Sequence, residues 1–230
     1  MKKVFIVILL FIITFNFFAE DINPCTDERI QSIYENWLRR DLNDDKITIK
    51  KMWLYKLDYL NSDIYEIYLN PGSDRHFRDY TVPNGLNRGY CILDEHHHFI
   101  NLWKNGQELQ KLIKPADVEK LNEDDKIWLL DFLYENMTET DKLWCIIINS
   151  PEAFIPNIFF EVKDDIRKKY ENVKIQISDS SIEFYAITGG IFVPSRQGKV
   201  VYDLKKIVFT FDEDIGLTME ETLLEERIYK

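Results

Sequence analysis

Two stretches of the chain, about residues 47–103 and 143–211, are cut by turn residues into short apolar or alternating runs. That spacing restricts both stretches to strands joined mainly by hairpins. Ile64-Tyr65-Glu66-Ile67-Tyr68-Leu69 and Phe77-Arg78-Asp79-Tyr80-Thr81-Val82 suit strands. Asn70-Pro71-Gly72 and Pro83-Asn84-Gly85 supply turns, because proline fixes φ and glycine accepts positive φ. From Ile47 onward the odd positions Ile49, Trp53, Tyr55, Leu57 and Tyr59 are apolar, which reads as a strand with one buried face. A helix from Lys50 to Leu60 is the competing reading.

Helical periodicity appears around these stretches. Ile30, Ile33, Tyr34, Trp37 and Leu38 recur at spacings of three and four, with Thr26 as candidate cap and Asp27 and Glu28 in the first turn. Gln107 to Ile113 reads as a short helix ended by Pro115, and Glu123 to Asn136 as a longer one capped by Asn122. Strand 143–148 is apolar throughout, implying burial on both faces. An amphipathic helix around Phe159, Val162, Ile166 and Tyr170 and a strand at 173–177 follow it, in the order of a crossover unit. Hairpins then run over 181–187, 191–193 and 200–211, with turns at Gly189-Gly190 and Gln197-Gly198 and a charged turn at Asp212-Glu213-Asp214. Thr218 and Glu221 fit a capping box for a last helix. The expectation is an α+β fold: largely antiparallel sheets with packed helices, and one α-helical crossover in the C-terminal third. It occupies residues 20–230 as a single domain, or as two subdomains of about 20–114 and 115–230.

The N-terminus has the pattern of a secretory signal peptide over residues 1–19. Lys2-Lys3 precedes a mostly apolar run from Val4 to Ala19, followed by Glu20-Asp21. Sixteen residues fall short of the roughly 20 that span a bilayer, so cleavage after Ala19 is the first reading and an uncleaved membrane tether the second. Cleavage removes two of the 29 basic residues and none of the 40 acidic ones, leaving a net charge of −13. Such a field repels a phosphate backbone and argues against nucleic acid as a partner.

Three cysteines in an exported chain permit one disulfide, and Cys25–Cys91 is the candidate pair; Cys145, in an apolar run, reads as a buried thiol. The densest set of potential metal ligands is Asp94-Glu95-His96-His97-His98. In an extended chain Asp94, His96 and His98 share a face, and two imidazoles two residues apart can share zinc. The five polar residues also have the length of a hairpin loop between the strand-like runs at 90–93 and 99–103, and that is the first reading. The oxygen spacing at Asp41, Asn43 and Asp45 resembles the start of an EF-hand or dockerin calcium loop. Lys46 replaces the glycine of that loop and Met52 its closing glutamate, so the stretch reads as an acidic turn ending a helix. No phosphate-cradling glycine motif and no G-x-S-x-G elbow occurs. Trp53, Tyr55 and Tyr59, with Tyr65 and Tyr68 nearby, read first as core packing under a helix-covered sheet, and second as an aromatic platform for a sugar ring or a peptide side chain.

These features point to a secreted or periplasmic, non-catalytic binding protein without a cofactor, whose partner is a protein, peptide or glycan, and which meets membrane only through an uncleaved leader. The alternative is a metal-dependent hydrolase built on Asp94, His96 and His98, with zinc as the candidate ion.

Overall fold

The computed structural model describes residues 22–42, 45, 48–69, 88–96, 98–138, 144–154, 162–189 and 202–228. The leader, the strands expected at 77–82 and 191–193, and most of the acidic turn after Asp41 lie outside the described residues. No helix among the described residues is long and apolar enough to cross a membrane. The described residues form two antiparallel sheets and five helices, an α+β fold. It divides into two compact units: residues 1–76 with 87–101, and residues 77–86 with 102–230.

The N-terminal unit is a meander with one helix. Strands β1 (Ile22–Pro24), β2 (Ile49–Tyr55), β3 (Ile64–Leu69), β4 (Arg88–Leu93) and β5 (Phe99–Asn101) lie side by side in chain order. Helix α1 (Glu28–Leu42) is inserted between β1 and β2. Its cap is Asp27, one residue after the expected Thr26: the Asp27 carboxylate accepts the backbone N–H groups of Arg29 and Ile30. A carboxylate at that end also opposes the helix dipole. The helix is tied to the sheet by Gln31, which donates to the Cys25 carbonyl oxygen at 2.9 Å, and by Glu35, which accepts the Ile49 N–H at 2.8 Å.

Register assigns the faces. Leu54, Tyr65, Cys91 and Asn101 form one cross-strand row, so Tyr65, Cys91 and Phe99 point the same way. On that side Tyr34 of α1 meets Phe99 edge-on at 4.5 Å, and Phe99 meets Tyr65 at 6.0 Å. Trp53, Tyr55, Glu66, Tyr68 and Tyr90 occupy the other side.

The candidate pair Cys25–Cys91 is not bridged; both thiols are buried and free. Cys25 bonds to Met52 on β2, whereas Cys91 lies on β4, with β2 and β3 in between. Three strand spacings make about 14 Å, against the roughly 7 Å between Cα atoms that a disulfide tolerates. Cys91 instead donates its S–H to the Tyr65 carbonyl oxygen at 3.6 Å. Cys145, expected to be buried, is half-exposed.

Burial, and secondly the charge of Asp63, pushes the Tyr65 hydroxyl up to about 12; burial also raises Tyr34 and the Cys91 thiol. The folded unit therefore holds the Tyr65 proton more tightly than the unfolded chain. The associated stability is complete below about pH 10 and is lost as pH rises towards about 12. Urea unfolding followed across that window should show this loss, and Tyr65→Phe should reduce it.

The C-terminal unit places a second sheet among helices. After α2 (Gly106–Leu112) comes α3 (Pro115–Val118), where Pro115 opens the helix at its first turn; at that position no N–H is needed. Helix α4 (Glu123–Met137) starts as expected, with Asn122 accepting the Asp125 N–H at 2.9 Å. Its buried side is broad, comprising Leu129, Leu130, Phe132, Leu133 and Tyr134.

Strands β6 (Trp144–Ile148), β7 (Gln176–Ile177), β8 (Ser181–Gly189), β9 (Tyr202–Asp212) and β10 (Gly216–Glu225) form the sheet in the order β10-β9-β8-β6, with β7 also on β8. From β6 the chain passes through α5 (Asp164–Tyr170) to β7, and both strands run antiparallel to β8 along one edge of it. β8 continues through Gly189, where a turn was expected. Ile166 and Tyr170 of α5 pack with Ile148, Ile187, Tyr202 and Leu204. Ile182, Phe184, Ile207 and Phe209 share the opposite face and are fully buried.

The helix expected from Thr218 is strand β10 instead, paired with β9 from Gly216↔Asp212 to Glu225↔Leu204. The Asp212–Gly216 turn brings 216–225 back along β9: Asp212 accepts the N–H groups of Asp214 and Ile215, and Gly216 takes φ +93°. A ladder of that length outweighs one capping box. Among the described residues β10 is the outermost strand, with a bulge between Leu223 and Glu225.

Candidate functional site

The structure places Asp94, His96 and His98 at the tip of the β4–β5 hairpin. Asp94 Oδ1 accepts the backbone N–H of His96 at 2.8 Å and of His98 at 2.7 Å, while the Asp94 N–H donates to the His98 carbonyl oxygen at 2.9 Å. Asp94 Oδ2 lies 3.2 Å from His98 Nδ1. These contacts, the His98 backbone N–H first, hold the Asp94 carboxyl below its ordinary range. The acid proposed on sequence grounds as a metal ligand is thus committed to shaping the turn. His96 and His98 project into solvent, 71% and 75% exposed, with ring centroids 6.1 Å apart. His97 is outside the described residues. Among the described residues no group of three or more His, Cys, Asp or Glu side chains is placed to hold a metal ion.

A second constellation lies on the other side of the same sheet. Glu66, only 3% exposed, carries a carboxylate between two phenols: Tyr55 donates to Oε2 at 2.6 Å and Tyr68 to Oε1 at 2.7 Å. Register brings them together, because Trp53 is opposite Glu66 on β2, Tyr90 is opposite it on β4, and Tyr68 follows two residues later on the same face. The Tyr55 and Tyr90 rings are 6.5 Å apart, edge to face. A buried carboxylate is tolerated when donors replace its lost water, and short hydrogen bonds to an ionised acceptor are the strong kind.

The expected aromatic platform is therefore regrouped. Trp53, Tyr55 and Tyr68 share a face; Tyr65 belongs to the helix-covered face, and Tyr59 lies in the turn after β2 ends at Tyr55. Tyr90 and Glu66 join the group. Sequence alone does not single out Glu66, because one acid in Ile64-Tyr65-Glu66-Ile67-Tyr68-Leu69 passes for the solvent side of an alternating strand. The available signal was that both parities of that strand are otherwise apolar or aromatic, as in a strand covered on both faces. An acid there needs dedicated donors, and tyrosine two residues on is one.

Of the calcium-like spacing, Asp41 belongs to the last turn of α1 and Asp45 is described, Asn43 lies outside the described residues, and Met52 is buried in β2. Comparison with known proteins brings no relative to these sites: no protein family, curated protein or solved structure matches the chain.

Proposed function

We propose that this chain is an exported, non-catalytic binding protein of the cell envelope or extracellular space, and that the Trp53, Tyr55, Tyr68 and Tyr90 face around Glu66 meets its ligand. Two features support the reading: the basic-then-apolar N-terminus, and a carboxylate held between phenols beside half-exposed aromatic rings. The second feature carries it. Aromatic rings give large contact area at low entropy cost, and the buried carboxylate fixes the Tyr55 and Tyr68 rings in place, which suits a sugar ring or a peptide side chain laid across the half-exposed rings.

The test has two parts. Intact mass of protein recovered outside the cytoplasm should correspond to a chain starting at Glu20. Glycan and peptide arrays should yield a saturable ligand whose affinity falls at least about tenfold in Trp53→Ala and Tyr68→Ala proteins that keep their circular dichroism. Retention of the leader in cytosolic protein, or turnover of a defined substrate, would overturn the reading.

A further inference from the structure

We propose that the β4–β5 hairpin tip binds a borderline divalent cation, Zn²⁺ or Cu²⁺, through the imidazoles of His96 and His98, with Asp94 as a positioning residue. The inference is independent of the reading above and uses a different part of the unit.

The argument begins with proton bookkeeping on His98. An ionised carboxylate only accepts hydrogen bonds, so the 3.2 Å contact between Asp94 Oδ2 and His98 Nδ1 requires the hydrogen on Nδ1. In the neutral ring the lone pair then belongs to Nε2. This is the arrangement found where a carboxylate orients a metal-binding histidine through its second nitrogen. Asp94 cannot also be a ligand without giving up either the turn, which Oδ1 holds through the His96 and His98 backbone N–H groups, or the Oδ2 contact that orients His98.

His96 supplies the second nitrogen. Its Nε2 is 3.6 Å from Glu95 Oε1, too far for a hydrogen bond. An ion about 2.0–2.1 Å from each nitrogen needs ring centroids roughly 5 Å apart. The rings start at 6.1 Å with their planes at 65°, so the two solvent-exposed side chains must turn as well as approach by about 1 Å to close the site. Water completes the shell. Imidazole pairs favour copper over zinc in the usual order of divalent affinities.

The experiment uses the full mature chain without a histidine tag, titrated calorimetrically with ZnCl₂ and separately with CuSO₄ in a non-chelating buffer. One ion should bind per chain, more tightly for copper. His96→Ala and His98→Ala should each weaken binding at least about tenfold.

Asp94→Asn is the distinguishing variant. Its side-chain oxygen can still accept the two backbone N–H groups, but its amide now donates towards His98 Nδ1 and drives the hydrogen to Nε2. Affinity should fall about tenfold or more. Long-range ¹H–¹⁵N spectra of the metal-free protein should show His98 as the Nδ1–H tautomer in the parent and the Nε2–H tautomer in the variant, with the hairpin amide shifts otherwise retained. Three results would each overturn the proposal: absence of saturable binding by the parent, loss of affinity in His97→Ala in place of the His96 and His98 variants, or an Asp94→Asn protein with unchanged affinity and tautomer.

Discussion

Gly216→Ala should destabilise the C-terminal unit by about 3 kcal/mol or more, for two reasons that add. Gly216 has φ +93°, where a residue with a Cβ is strained, and that alone costs of order 1–2 kcal/mol. A Cβ there would also lie 2.6 Å from the Gln107 amide nitrogen and 2.7 Å from the Gly106 carbonyl carbon. Both are backbone atoms in the first turn of α2, so no side chain can swing aside. The approach is reciprocal, since a Cβ on Gly106 would run into the Leu217 carbonyl oxygen. The start of α2 and the start of β10 therefore touch backbone to backbone through two glycines. Thermal unfolding should show Gly216→Ala lower by about 6–12 °C, at the 2–4 °C per kcal/mol usual for domains of 150–250 residues. Gly106→Ala should be impaired too. The double variant should fall short of the sum, because either substitution already separates the same pair of segments.

Glu66→Ala should cost the N-terminal unit about 3 kcal/mol, mainly through the two phenols it leaves behind. Tyr55 is buried, and its hydroxyl would lose the carboxylate oxygen at 2.6 Å without gaining bulk water. Tyr68 is half-exposed and loses less. A hydrogen bond to an ionised group contributes about 1.5–3 kcal/mol, and the cavity left by the side chain adds to its loss. Tyr55→Phe, which keeps the ring and drops only the donor, should cost about 1.5 kcal/mol, the lower end for a hydrogen bond to a charged group. Urea unfolding of the parent, both single variants and the double variant gives the coupling directly. If Glu66→Ala proves neutral, the carboxylate is not held as described, and the binding face proposed around it loses its centre.

What the sequence reveals divides along physical range. Asn122 is legible as a cap because a capping bond spans three residues, and Ile64–Leu69 as a strand because its parities and flanking turn are local. Pro115 was read as a stop when it is a start; the residue serves both, and only the chain after it decides. Thr218 and Glu221 carried a true local signal for a helix, but the outcome depended on a partner strand already running to Asp212. The hairpin tip was legible as a turn, whereas the role of Asp94 was not: in an extended chain it shares a face with the histidines, and only the turn directs both its oxygens inward. Glu66 shows the same limit. Its donors come from β2 and its own strand, and register across strands cannot be read from one of them.

The outer rim of the second sheet bears on how this protein behaves in company. β10 is ten residues long, and among the described residues no further strand pairs with it, which would ordinarily invite a sister molecule to add on edge to edge. The irregular step near Leu223 breaks the straight run of amides such a neighbour would need, and the exposed Glu220 places a charge on that edge. At high concentration the molecule is thereby discouraged from zipping into stacks.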